Sequence, residues 1–370
     1  MAACVRSSRT QSVSEGGGRP RTTPPGATRL GTAVAVSPTV WSLEKAVAAV
    51  TRSPVRDTFA ACWPSIRPLL QRGSVPRLQV VACDVARQTI TGTLSIEAAI
   101  GTVTPAVIGS HSLCDLHFDG EPFLAARHLM VLVSPLRAGS NGPEFTFRVL
   151  DLRTRRGFAD EEGRSLRSIT ADGTAFVVIG SHLVCFIVTS DGEYWPDEGA
   201  DAWSCVPERV YLDEQLATSS ATRQRIAKTW ADSRNVTTVR LHRPSRLLGP
   251  QTEIESVVGH LTLVSGHGSP VCAPIIVVPV SARHTADGAL LGRLDGADLD
   301  WQSLRHPMIS RGHILLVSID ESLLAIDVAS TNGLFTVGDG EVKRRRCLEL
   351  GDGTAFSLGP NLVQAQWSIH

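Results

Sequence analysis

The spacing of apolar positions changes several times along the chain. Residues 1–38 are rich in Arg, Ser, Thr, Gly and Pro, with Gly16-Gly17-Gly18 and Thr22-Thr23-Pro24-Pro25 and no repeating apolar period. Such a segment has too little apolar area to offset its ordering entropy and is expected to be a disordered tail. Over 39–74, Trp41, Leu43, Val47 and Val50, then Phe59, Cys62, Trp63, Leu69 and Leu70 fall at helical spacing. Pro54, Pro64 and Pro68 are expected to cut this stretch into short helices, because proline has no amide donor for the preceding turn. From Pro76 the pattern becomes that of strands: Leu78-Gln79-Val80-Val81-Ala82, Thr89-Ile90-Thr91-Gly92-Thr93-Leu94, Ala106-Val107-Ile108-Gly109, Met130-Val131-Leu132-Val133, Phe145-Thr146-Phe147-Arg148-Val149-Leu150, Ala175-Phe176-Val177-Val178-Ile179 and Val184-Cys185-Phe186-Ile187-Val188. Many short strands punctuated by turns predict an antiparallel β-sandwich over 75–190.

Residues 191–251 are polar and mixed and read as a linker. Within them Val210, Leu216, Ile226 and Trp230 predict an amphipathic helix over 208–233. Strand-like patterning resumes near Thr252 and predicts a second sandwich over 252–370. In it Ile314-Leu315-Leu316-Val317-Ser318-Ile319 and Leu323-Leu324-Ala325-Ile326-Asp327-Val328 flank Asp320-Glu321-Ser322 as a β-hairpin. The expected fold class is therefore all-β: two antiparallel sandwiches with short helical extensions and a disordered N-terminal tail.

The two halves also repeat each other. Asp172-Gly173-Thr174-Ala175-Phe176 recurs residue for residue as Asp352-Gly353-Thr354-Ala355-Phe356. Asp151-Leu152-Arg153-Thr154-Arg155-Arg156-Gly157 aligns without a gap on Asp327-Val328-Ala329-Ser330-Thr331-Asn332-Gly333, and Ala125-Ala126-Arg127-His128 on Ser310-Arg311-Gly312-His313. A repeat of this length points to one fold used twice.

In the second half the polar clusters Gly292-Arg293, Ser310-Arg311-Gly312-His313 and Ser330-Thr331-Asn332-Gly333 fall on loops at strand ends. Hydroxyls, guanidinium groups and an amide gathered there can surround a small anion without burying an unpaired charge. The order Gly-Arg, Ser-Arg-x-His, Ser-Thr-Asn-Gly, followed by Leu348-Glu349-Leu350-Gly351-Asp352-Gly353-Thr354-Ala355-Phe356-Ser357-Leu358-Gly359, resembles the forkhead-associated (FHA) domain. That family is a β-sandwich that binds phosphothreonine peptides, and the resemblance covers about residues 259–367. It implies phosphate contacts from Arg293, Ser310, Arg311 and Thr331, and a hold on the peptide backbone from Asn332. Gly292, His313 and Gly333 match its structural positions. Met308, two before the serine, implies an apolar preference in the peptide beyond the phosphothreonine.

The first half looks like a diverged copy. Ser110 stands for the arginine of Gly-Arg, Ala125 for the serine, Ala126 for the basic residue after it, and Arg155-Arg156 for the Thr-Asn pair, while His128 and Gly157 remain. The scaffold without the donors implies no ordinary phosphothreonine binding there; Arg127, Arg155 and Arg156 are left as a different anion site or a solvated cluster.

Composition narrows the picture further. Formal charge is zero and lysine occurs only at Lys45, Lys228 and Lys343, so no global field draws in nucleic acid or an anionic membrane. Lys343-Arg344-Arg345-Arg346 reads as a solvated hairpin loop. The eight cysteines form no CxxC pair, which argues against zinc and for small buried hydrophobes in a reducing compartment. Asp295, Asp298 and Asp300 read as a solvated edge, and no catalytic constellation, metal-ligand spacing or phosphate loop is present, so neither enzymatic activity nor a cofactor is expected. No apolar run follows Arg6 and Arg9, and none is long enough to span a bilayer, so a soluble, cytoplasmic protein without a secretory leader is expected.

The expected function is that of a phosphothreonine-peptide adaptor in Ser/Thr kinase signalling, its partners phosphothreonine proteins, either a kinase or its substrates. Phosphorylation of Thr22 or Thr23 in the tail is an expected route to self-occlusion of the site. The alternative is a structural component of a larger assembly, such as a secretion-related complex, using FHA folds for phosphate-independent contacts.

Overall fold

The computed structural model describes residues 54–70, 75–139, 142–189, 195–213, 236–242, 256–265, 275–293, 308–338, 341–360 and 363–369. The expected tail with Thr22 and Thr23, and the aspartates 295, 298 and 300, lie outside these residues.

A single helix, α1 (Pro54–Leu70), replaces the expected string of short ones. Pro54 occupies its first position, where no amide donor is required. Pro64 removes the donor to the Ala60 carbonyl without ending the helix. Instead Gly199 packs against that carbonyl so closely that a Cβ there would lie 2.3 Å from the oxygen. Phe59, Cys62, Trp63 and Ile66 bury one face of α1 against Phe176, Leu183 and Cys185 of the sheet beneath. Each such side chain contributes about 1.5–3 kcal/mol, enough to hold the helix through both prolines.

The strands that follow are β1 (Arg77–Asp84), β2 (Thr89–Glu97), β3 (Thr104–Gly109), β4 (Leu116–His117), β5 (Leu129–Val133), β6 (Arg137–Gly139), β7 (Gly142–Glu144), β8 (Phe147–Asp151), β9 (Phe158–Ala159), β10 (Ser165–Leu166), β11 (Ser168–Ala171), β12 (Ala175–Ile179) and β13 (His182–Thr189). After helix α2 (Gly199–Cys205) come β14 (Glu208–Asp213) and β15 (Val236–His242). Together they form two sheets, ordered β10-β9-β12-β13-β1-β2 and β14-β15-β11-β8-β5-β3-β4, with β6 and β7 as a separate ribbon.

The second half contains β16 (Val257–Ser265), β17 (Ile275–Ser281), helix α3 (Ala282–Asp287), β18 (Ala289–Leu291), β19 (Ile314–Ile319), β20 (Ser322–Asp327), β21 (Leu334–Gly338), β22 (Glu341–Arg345), β23 (Cys347–Glu349), β24 (Ala355–Leu358) and β25 (Val363–Ile369). Its sheets are ordered β17-β16-β25-β24-β21-β22 and β18-β19-β20-β23. The second order repeats the first strand for strand: β16, β17, β25, β24, β21 and β22 stand where β1, β2, β13, β12, β9 and β10 stand, and β18, β19, β20 and β23 where β3, β5, β8 and β11 do. The expected hairpin is β19–β20, and Asp320 and Glu321 turn it with φ of 51° and 71°.

The expected helix over 208–233 is corrected where the structure describes it, because Glu208–Asp213 is a strand. β14 runs parallel to β15, and the pair extends the first sandwich. Val210, Tyr211 and Leu212 suit a half-buried strand, and Tyr211 packs on the same core that buries Val239 and Leu241. The Tyr211 hydroxyl donates to Glu161 at 3.0 Å, and burial beside that carboxylate pushes its pKa up. Lys343-Arg344-Arg345-Arg346 is likewise not a loop: Lys343, Arg344 and Arg345 end the edge strand β22, paired to β21. Among the described cysteines, Cys62, Cys83, Cys114 and Cys185 are buried, Cys347 is half-buried and Cys205 exposed.

Each sandwich has its own core, α1 covers a third apolar cluster, and a fourth joins the two sandwiches. Val107, Met130, Leu132 and Leu150 of the first meet Leu290, Leu315, Ile326 and Val328 of the second. Among the described residues no helix is long and apolar enough to cross a membrane.

Candidate functional site

At the end of β18 the chain must pass very close to a neighbouring loop. A Cβ on Gly292 would lie 2.1 Å from the Arg311 carbonyl oxygen, so only glycine fits. Two backbone bonds fix this approach: the Arg293 amide donates to the Ser310 carbonyl at 3.1 Å, and the His313 amide to the Leu291 carbonyl at 2.7 Å.

His313 is fully buried. Its Nδ1 accepts the Ser310 amide at 3.2 Å, which leaves the proton on Nε2 to donate to the Gly333 carbonyl at 2.9 Å. One ring therefore ties the Ser-Arg-x-His loop to the Ser-Thr-Asn-Gly loop. Burial lowers its pKa against the opposing pull of the Gly333 carbonyl, and the ring stays neutral.

The second loop is a closed turn. Asp327 Oδ1 accepts the Ser330 amide at 2.9 Å, and Ser330 Oγ accepts the Gly333 amide at 2.9 Å. Ala329 and Gly333 have φ of 57° and 81°. Arg344 reaches over from β22, donates to the Ser330 carbonyl at 3.3 Å, and lies 3.8 Å from Asp327.

These bonds bring the sequence-derived site residues onto adjoining loops. The Thr331 amide donates to Ser310 Oγ at 3.1 Å, joining the two hydroxyl residues. Arg293 is tied to Ser310 through the backbone, and Arg311 follows Ser310 in the chain. Arg293, Arg311 and Thr331 are exposed, and Ser310 and Asn332 half-buried. Neither the Arg293 nor the Arg311 guanidinium makes a side-chain hydrogen bond or ion pair among the described residues. Asn332 Nδ2 donates to the Met308 carbonyl at 2.6 Å, tying the second loop to the residue two before Ser310. Sequence reasoning did not weigh Asp327, Ser330 and Arg344 as parts of the site. A readable signal existed for the first two: an acidic residue three before a hydroxyl residue occurs in both halves, at Asp151/Thr154 and Asp327/Ser330.

The first sandwich builds the same frame. His128 Nδ1 accepts the Ala125 amide at 3.1 Å and its Nε2 donates to the Gly157 carbonyl at 2.8 Å. Thr154 Oγ1 accepts the Gly157 amide at 3.0 Å and bonds Asp151. Arg153 and Gly157 have φ of 58° and 64°, and a Cβ on Gly109 would lie 2.4 Å from the Ala126 carbonyl oxygen. The tips differ. Ser110 donates to the Leu124 carbonyl at 3.2 Å, and Arg156 lies over the Phe123 ring, 4.8 Å from its centre. Arg127 turns into the joint between the sandwiches, where Nε and Nη2 both donate to the Ala329 carbonyl, Nε at 3.0 Å. It does not join Arg155 and Arg156 in an anion site.

Residues 289–359 match the family model of the FHA domain. The second sandwich carries an FHA domain. The matched segment holds Gly292-Arg293, both polar loops and the strands β18 to β24. Solved structures similar to this chain include FHA-1 of Rv1747 from Mycobacterium tuberculosis, at 24% identity over 30% of this chain and 98% of that one, TM-score 0.22. Another is EmbR from Mycobacterium tuberculosis in complex with a low-affinity phosphopeptide, at 20% identity over 40% of this chain and 31% of that one, TM-score 0.23. A third is the FHA domain of CT664 from Chlamydia trachomatis, at 18% identity over 30% of this chain and 98% of that one, TM-score 0.22. No curated protein matches the chain.

Proposed function

We propose that the FHA domain binds phosphothreonine-bearing segments of other proteins, with Arg293, Ser310, Arg311 and Thr331 on the phosphate and Asn332 on the peptide backbone. A phosphothreonine carries about −1.5 to −2 charges near neutral pH and three acceptor oxygens, so it needs several donors on a rigid frame. The observation that carries the reading is the Thr331 amide on Ser310 Oγ, which sets two hydroxyl residues side by side next to the guanidinium groups of Arg293 and Arg311, unengaged among the described residues. A phosphate entering there meets donors that need no rearrangement and give up no internal partner. The chain then acts as an adaptor in Ser/Thr kinase signalling, its partner a kinase or a kinase substrate. The first sandwich is a diverged FHA copy that keeps the frame and has lost the donors.

A degenerate phosphothreonine peptide library offered to the full chain, with phosphoserine and unphosphorylated controls, tests this. Retention of phosphothreonine peptides alone supports it; equal retention of unphosphorylated peptides overturns it. One feature favours a second reading, a scaffold making phosphate-independent contacts: the edge strand β17 exposes Ile275 and Val277, 68% and 55% accessible. The same partners captured by wild type and by Arg293→Ala would favour it.

A further inference from the structure

The loop carrying Thr331 and Asn332 is braced from outside its own sandwich. Ala329, just before it, is 2% exposed and holds a left-handed φ of 57°, a conformation that is strained for a residue with a Cβ. Its carbonyl is buried in the joint and needs a donor. Arg127 of the first sandwich supplies it with two guanidinium nitrogens, a charge-assisted fork stronger than one neutral amide. In the repeat alignment Arg127 stands where the FHA domain has Gly312.

The matching turn of the first sandwich is closed from within. There Arg167 donates to the Asp151 carboxylate, the Thr154 carbonyl and, at 3.4 Å, the Arg155 carbonyl, holding its own loop closed. The strand order places Arg346 at the equivalent point of the second sandwich, and Arg346 instead pairs with Asp115 of the first. Asp115 is itself fixed by the Val107 amide at 2.7 Å. In the second sandwich Arg344 takes the partners that Arg167 has in the first, the Ser330 carbonyl and Asp327, while Arg346 is turned across the joint and Arg127 crosses in the other direction. Elsewhere in the joint Arg148 donates to the Ala286 carbonyl at 2.7 Å and Arg153 to the Gly288 carbonyl at 3.0 Å, ahead of β18 rather than at the loop that follows it.

We infer that the first sandwich is a positioning element of the phosphothreonine site, and that Arg127 is the positioning residue, setting the turn Ala329–Gly333 from which Thr331 and Asn332 project. This rests on the proposed phosphothreonine reading. It gives the diverged copy a task that uses its frame and its altered tip and needs no ligand of its own.

The test uses the full chain and a phosphothreonine peptide selected on wild type from the degenerate library. Arg127→Met keeps the aliphatic stem and removes the donors; Arg153→Met removes the bond to the Gly288 carbonyl across the same joint. One charge-assisted bond lost from the brace is expected to weaken peptide binding about 5- to 30-fold in Arg127→Met. Arg153→Met, with a similar fall in melting temperature, is expected to bind as wild type. Unchanged affinity in folded Arg127→Met, or an equal loss in Arg153→Met, would overturn the inference. If Arg127→Met does not fold, Arg127→Gln takes its place with the same criteria. If wild type binds no phosphothreonine peptide, the functional reading fails by itself. The brace is then read from amide hydrogen exchange at Thr331 and Asn332, which is faster in Arg127→Met if the inference holds and unchanged if it is wrong.

Discussion

In the first sandwich the ring of His128 takes the Ala125 amide and gives its proton to Gly157; in the second His313 does the same between Ser310 and Gly333. Asp151 and Thr154 close one turn as Asp327 and Ser330 close the other. The tip positions match nowhere: Ser110, Ala125, Arg155 and Arg156 stand against Arg293, Ser310, Thr331 and Asn332. The frame is buried, so losing a member strands a polar group and is costly. The tips are exposed or half-buried and change at less cost to the fold. Frame and ligand chemistry are therefore separable, and one sandwich can keep the first without the second.

Four experiments break or sharpen this contrast, taken from the largest effect down. Replacing either histidine by alanine leaves an amide and a carbonyl unpaired in a buried site and is expected to cost about 2–4 kcal/mol in urea unfolding. The costs should be similar, but only His313→Ala should also abolish phosphopeptide binding. Next, Arg293→Ala is expected to weaken phosphopeptide binding about 10- to 100-fold, the loss of a charge-assisted bond, with little change in melting temperature. Ser110→Ala, at the matching tip of the first sandwich, should leave affinity unchanged; calorimetric titration reads both.

The glycine pair separates the turns more finely. Both have positive φ, so alanine is strained by about 1–2 kcal/mol at either. A Cβ on Gly157 would also lie 2.6 Å from the Leu166 carbonyl oxygen, which is backbone, whereas on Gly333 it meets the movable Arg344 guanidinium at 2.6 Å. Thermal unfolding should therefore show Gly157→Ala less stable than Gly333→Ala. Equal melting temperatures would mean that the first loop yields as easily as the second.

Mild acidification should weaken both frames. Burial lowers the pKa of His128 and His313, and takes His242 down to about 4. Between an unfolded histidine's value of about 6.5 and these depressed values the unfolded chain binds more protons. Stability should thus be level above about pH 6.5 and fall as pH drops through that window, reaching toward about 4 for His242. Urea unfolding at several pH values checks this; stability that rises on acidification would contradict it.

The sheets were legible because apolar runs punctuated by turns need no knowledge of a partner, and the repeat announced the frame through Gly109/Gly292, His128/His313 and Gly157/Gly333. What escaped depends on distant residues. Pro64 sits inside α1 because the apolar face of the helix is buried on a sheet distant in the sequence, against Phe176, Leu183 and Cys185. Glu208–Asp213 is a strand because β15 lies beside it, and no local period reports that. Arg127 looked like one of three solvated arginines, but its partner is a backbone carbonyl of the other sandwich, which carries no residue-type signal at all.

Titrating the full chain with one phosphothreonine peptide and its unphosphorylated twin, in wild type and Arg293→Ala, is the most direct trial of the account. The expected result is binding of the phosphorylated peptide alone, lost or much weakened in Arg293→Ala. Equal binding of both peptides, or undiminished binding of the phosphorylated one by Arg293→Ala, would contradict it.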